Sequence, residues 1–113
     1  MWSAGSIQFT IALGKSTNVA IVLGASSPSS RIFFNPNFTS INVRDIVTWR
    51  NDDVSIHTVT SGTFNTGKAG PIPFDSGIIN SGGIFTHQFN AVNTYDYYCR
   101  IHPFMTGKVV VNI

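Results

Sequence analysis

Cysteine is almost absent: Cys99 is the only one in 113 residues, so no internal disulfide forms and cysteine usage says nothing about redox compartment. Charge is scarce too. Asp, Glu, Lys and Arg make up 11% of the chain, and a net charge of +2 spread over scattered Lys and Arg excludes a nucleic-acid partner. No apolar run approaches the roughly 20 residues that cross a bilayer, so membrane attachment is expected only through segments outside this chain. The start, Met1-Trp2-Ser3-Ala4-Gly5-Ser6, lacks the basic-then-apolar pattern of a secretion signal. Residues 1–6 are expected to be a remnant of initiation or cloning, and the chain a mature or excised piece. Asn37-Phe38-Thr39 matches a glycosylation acceptor, a pattern too common to place the chain in a secretory pathway. Nowhere does an apolar helical period last three turns.

What the chain does have is Gly, Ser, Thr and Asn in quantity and 12% aromatic residues, which suits a compact β-protein with many turns and argues against disorder. Alternating runs predict strands at Ile7–Ile11, Val19–Leu23, Ser40–Val43, Asp45–Trp49, Phe85–Phe89, Thr94–Cys99 and Lys108–Ile113, with shorter segments at Phe33–Pro36 and Thr58–Thr60. Ser61 to Gly83, rich in Gly, Asn, Ser and Pro, reads as a long loop over a sheet edge with brief strand segments. About eight strands at this spacing predict an all-β, two-sheet Greek-key sandwich. Residues 1–113 read as one domain, with no internal repeat.

Near the C-terminus stands Cys99-Arg100-Ile101-His102-Pro103-Phe104-Met105, and His57 lies upstream. One thiolate, two imidazoles and a thioether make the ligand set of a mononuclear type 1 copper centre, with two His and one Cys trigonal and Met axial. The set draws on the single Cys, and on the scarce His and Met, of a chain with three His and two Met. A strand ending at Cys99, followed by a tight loop, folds three of these side chains onto one metal; the fourth comes from a distant strand. The competing reading is an inert buried cysteine with His102 and Met105 as packing residues. Zinc fits poorly because thioether is not a usual zinc ligand. A dinuclear centre bridged by two thiolates is excluded by the cysteine count.

The stretch from Thr94 to Val111, with its Cys-x2-His-x2-Met loop, closely resembles the end of amicyanin and other plastocyanin-like cupredoxins. Val43–Asn51 resembles the strand before the first ligand in that family, and Ile56-His57-Thr58-Val59-Thr60 its ligand-bearing turn. The likeness runs from about Phe34 to Val111. It implies His57, Cys99, His102 and Met105 as ligands to one copper ion cycling between Cu(I) and Cu(II), both histidines binding through Nδ1. Two departures stand out. Thr58 replaces the Asn that follows the first His in amicyanin and plastocyanin, so the neighbouring amide still reaches the thiolate but the side-chain brace differs. Arg100-Ile101 replaces a stretch that usually has Pro before the second His. Both bear on Met105, whose axial bond lengthens or breaks, admitting water, if the loop shifts.

Of the other notable residues, His87 and Trp49 read as packing residues. Pro103 and Phe104 read as an apolar collar at the metal's exposed edge, and Pro103 also withholds an N–H from the thiolate, which favours Cu(I). Three functions compete. A soluble, monomeric one-electron carrier would meet redox partner proteins through the apolar surface around His102, Pro103 and Phe104. An enzyme with an open axial position would react with a small ligand such as nitric oxide. A storage module fits poorly, because a buried thiolate cage releases metal slowly. After His57 and His102 only His87 remains, too few histidines for a second copper centre. The carrier is the favoured reading, working in the periplasm or otherwise outside the cytoplasm, where thiol buffers do not compete.

Overall fold

The structure is a computed structural model that describes residues 14–113. The strand expected at Ile7–Ile11 and the remnant expected at residues 1–6 lie outside the described residues. No helix occurs among those described. Eight strands do: β1 (Ser16–Ile21), β2 (Phe34–Asn35), β3 (Phe38–Asn42), β4 (Ile46–Asn51), β5 (Thr60–Ser61), β6 (Ile84–Gln88), β7 (Asn93–Tyr98) and β8 (Thr106–Asn112).

They form two four-stranded sheets, in the orders β2-β1-β4-β6 and β3-β8-β7-β5. β2, β4 and β6 lie in one sheet and β3, β5 and β7 in the other, so the chain crosses between sheets repeatedly before β7 and β8 close as an antiparallel pair. This is the all-β sandwich the alternating runs predict. Both sheets are mixed: β1 runs parallel to β4, and β3 parallel to β8.

Alternation of side chains along each strand sets the core between the sheets. From β4, Val47 and Trp49 point inward and are fully buried; from β7 and β8, Tyr95, Tyr97, Val109 and Val111 meet them. The Trp49 ring packs edge-on to Tyr97 at 5.3 Å between centroids and stacks on Phe85 at 5.6 Å. Each large side chain buried this way contributes roughly 1.5–3 kcal/mol. Gly107 is required by that packing, since a Cβ there would run into the Tyr97 ring of the adjacent strand.

Strand ends differ from the sequence reading by one to three residues, the largest difference being the start of β1 at Ser16 rather than Val19. β7 stops at Tyr98, and the Cys99 N–H makes one further in-register bond, to the Met105 carbonyl at 3.1 Å, before the chain turns away. The segment 61–83 is more than an edge cover. The Thr63–Lys68 bridge folds the segment on itself, bridges at Thr60–Asp75 and His57–Ile79 stitch it back onto the chain, and it contributes Phe74 and Ile79 to the core.

Candidate metal centre

Period-two alternation along β7 continues one residue beyond it: Tyr95, Tyr97 and Cys99 are all buried on the inner face. The chain then turns. Cys99 N–H to Met105 O at 3.1 Å and Met105 N–H to His102 O at 2.9 Å close a short loop that returns His102 to the Cys99 sulfur. His57 arrives from the turn after β4. Its backbone exchanges hydrogen bonds with Ile79 in both directions, at 3.2 and 2.8 Å, so its ring is held at the top of the core. Asn51, fully buried, shapes that turn by donating from Nδ2 to Ser55 O and Ile79 O.

The result is a triangle. Nδ1 of His57 and Nδ1 of His102 each lie 3.7 Å from Cys99 Sγ. Ligands about 120° apart around one ion, with bonds of about 2.3 Å to sulfur and about 2.0 Å to nitrogen, stand about 3.7 Å apart; at the tetrahedral angle the figure is about 3.5 Å. The observed spacing therefore fits ligands shared by one metal ion, and both histidines present the expected nitrogen. Among the described residues this trio is the one His/Cys/Asp/Glu group whose ligand atoms converge on a metal position.

The thiol is prepared as a thiolate. Burial opposes ionisation of Cys99, but contacts from the His57 ring, the Thr58 and His102 amides and the His102 ring outweigh it and bring its pKa down to about 6. The Thr58 N–H donates to Sγ at 3.3 Å, the amide contact expected from the sequence. Thr58 also supplies a different brace from the amide side chain it replaces. Its Oγ1 accepts from the Arg100 N–H at 2.8 Å and lies 3.0 Å from Thr60 Oγ1, which donates to Asp75 Oδ1; Asp75 Oδ2 in turn pairs with Arg100 at 3.1 Å. This closed circuit ties the two ligand-bearing turns together.

Met105 is fully buried at the end of the ligand loop. His102 is partly exposed, and Phe104, exposed, flanks it at 6.0 Å between ring centroids and packs edge-on to Phe33 at 5.2 Å. His87 is elsewhere: it lies on β6 opposite Val47, stacked on Phe74 at 4.6 Å, and burial lowers its pKa. Trp49 is core.

One residue of the site escaped the sequence reading. Asp53 is 1% exposed, and its Oδ2 lies 2.7 Å from Nε2 of His57. An acid four residues before a candidate histidine ligand was the available signal, but Asp52 beside it carries the same charge and pairs instead with Arg50 at the surface.

A triangle of one thiolate and two imidazole nitrogens, buried except at His102 and set at one end of a two-sheet β-sandwich, defines a mononuclear copper protein. The model of the copper binding proteins of the plastocyanin/azurin family matches residues 19–112. The chain belongs to that family. Among its relatives, amicyanin-alpha of Methylorubrum extorquens is 38% identical over 71 residues, covering 63% of this chain and 57% of the relative. The amicyanin of Paracoccus versutus is 33% identical over 92 residues, covering 81% and 64%. The chain thus spans somewhat under two thirds of the length of these curated relatives. A purple cupredoxin from Nitrosopumilus maritimus superposes with a TM-score of 0.76 at 34% identity, covering 85% of this chain and 99% of that one. A Cu(I) structure of an amicyanin variant gives 0.67 at 28% identity, covering 86% and 82%. Copper is the cofactor, and His57, Cys99 and His102 are the residues that fit it.

Proposed function

We propose that this protein is a one-electron carrier, taking an electron from one redox protein and passing it to another through the exposed edge of His102. The observation that carries the reading is the preformed triangle, with both Nδ1–Sγ distances at 3.7 Å and both ligand turns tied together by hydrogen bonds. Copper held there supplies one-electron chemistry between Cu(I) and Cu(II). The chain's own part is to keep the ligands in place, so that little rearrangement accompanies the change of charge. Backbone and side-chain bonds fix His57, Thr58 and Arg100, and the core beneath them is close-packed.

Met105 completes the ligand set as a weak axial thioether. Its full burial and its backbone bonds to both Cys99 and His102 support that role. No observation favours the open axial position weighed from the sequence. Around His102 the surface is apolar: Phe104 is exposed, with Phe33, Pro103 and Ile101 at hand. A small apolar contact suits a partner that must dock and leave quickly. The protein works as a monomer outside the cytoplasm, where thiols do not strip copper. Titration of the oxidised protein with azide tests the closed site: the visible spectrum stays unchanged if Met105 closes it, and a clear shift means a position open to outside ligands.

A further inference from the structure

We propose that Asp53 is a positioning residue of the copper centre, fixing the His57 ring with Nε2 protonated and Nδ1 open to copper, and favouring Cu(II) over Cu(I) by its charge. Every feature of its surroundings serves the carboxylate. Oδ2 faces His57 Nε2 at 2.7 Å, while Oδ1 accepts from the Gly24 N–H at 3.0 Å and the Val54 N–H at 2.9 Å. Its own N–H donates to Asn51 Oδ1 at 3.0 Å, which holds the turn in register. The acid and the histidine are 1% and 0% exposed.

Burying a carboxylate is costly, and a neutral acceptor would satisfy one imidazole N–H without that cost. What the pocket demands is an acceptor on both arms, and only a carboxylate has two. An amide in its place must turn its NH2 either toward the Gly24 and Val54 donors or toward His57. In the second case the ring is drawn to the tautomer with hydrogen on Nδ1, and that hydrogen occupies the position copper needs. A carboxylate behind a metal-binding imidazole also raises the basicity of the coordinating nitrogen. The more highly charged Cu(II) gains more from this than Cu(I) does.

The test uses the whole copper-loaded chain and no partner, so it stands apart from the carrier reading. In Asp53→Asn, Cu(II) affinity measured by chelator competition falls 10- to 100-fold. Cu(I) affinity falls less, and each tenfold difference between the two raises the reduction potential by about 59 mV for a one-electron couple. A folded variant with both affinities and the potential unchanged overturns the proposal. Should the variant fail to fold, the wild-type Cu(I) protein, which is diamagnetic, decides the matter by nitrogen–proton NMR of His57. A slowly exchanging proton on Nε2 is expected; a ring bare at Nε2, or one whose Nε2 proton exchanges as fast as that of a free imidazole, overturns it.

Discussion

Thr58→Val isolates the brace between the two ligand turns. The substitution removes Oγ1 and changes little in shape, while the backbone N–H to the Cys99 sulfur at 3.3 Å is untouched. What is lost is the acceptor for the Arg100 N–H, 2.8 Å away, at a fully buried side chain. Arg100 is itself exposed and the bond only part-buried, so its loss costs about 0.5–1.5 kcal/mol. At about 4 °C per kcal/mol for a domain of this size, the copper-loaded protein should melt roughly 2–6 °C lower. Thr60→Val removes the next link, whose partners water can replace, so it costs about 0.5–1 kcal/mol. The assay is urea and thermal unfolding of both variants, followed by circular dichroism and by the visible band. Thr58→Val should keep the band and lose at least as much stability as the Thr60 change. An unchanged unfolding midpoint would refute the brace, and loss of the band in a folded protein would show that the hydroxyl, not the amide, governs the thiolate.

Phe104→Glu places a charge beside His102 on the apolar rim; electron self-exchange should slow at least several-fold with the visible spectrum unchanged, and an unaffected rate would put docking elsewhere. His87 is held neutral by burial, its folded-state pKa lying below the ordinary value of about 6.5. The unfolded chain therefore binds the proton first, so stability falls as pH drops below about 6.5 and is unaffected by this group above about 7.5. His87→Phe, stacked in the same place against Phe74, should remove that part of the acid sensitivity, and identical pH profiles for the two proteins would contradict it.

Much of this architecture was legible in the chain because it rests on local pattern. Alternation in Asp45–Trp49 and Thr94–Cys99 marks β4 and β7, one inner strand of each sheet, and the same alternation, carried one step past Tyr97, puts Cys99 inside. Spacing in the Cys99–Met105 loop reveals three ligand candidates because they belong to one tight turn. Less legible was anything that depends on two distant segments meeting. The 61–83 segment carries turn residues throughout, yet Phe74 and Ile79 are core because separate bridges return them to β5 and to His57. Asp53 gave no stronger signal than Asp52, and only the fold shows which of the two faces His57. The circuit through Thr58, Thr60, Asp75 and Arg100 joins three separate stretches of sequence, and none of them alone predicts it.

The most direct measurement of the copper site is the optical and EPR spectrum of the Cu(II) protein, taken beside Cys99→Ala. One copper per chain held by His57, Cys99 and His102 requires an intense thiolate-to-Cu(II) band in the visible and the narrow copper hyperfine splitting of a covalent Cu–thiolate bond. In Cys99→Ala both vanish while the β-sheet circular dichroism persists, since the core owes its stability to residues such as Trp49, Tyr97 and Val109 rather than to the metal. An intense visible band that survives in Cys99→Ala, or a wild-type spectrum with only weak absorption and broad hyperfine splitting, would contradict the site.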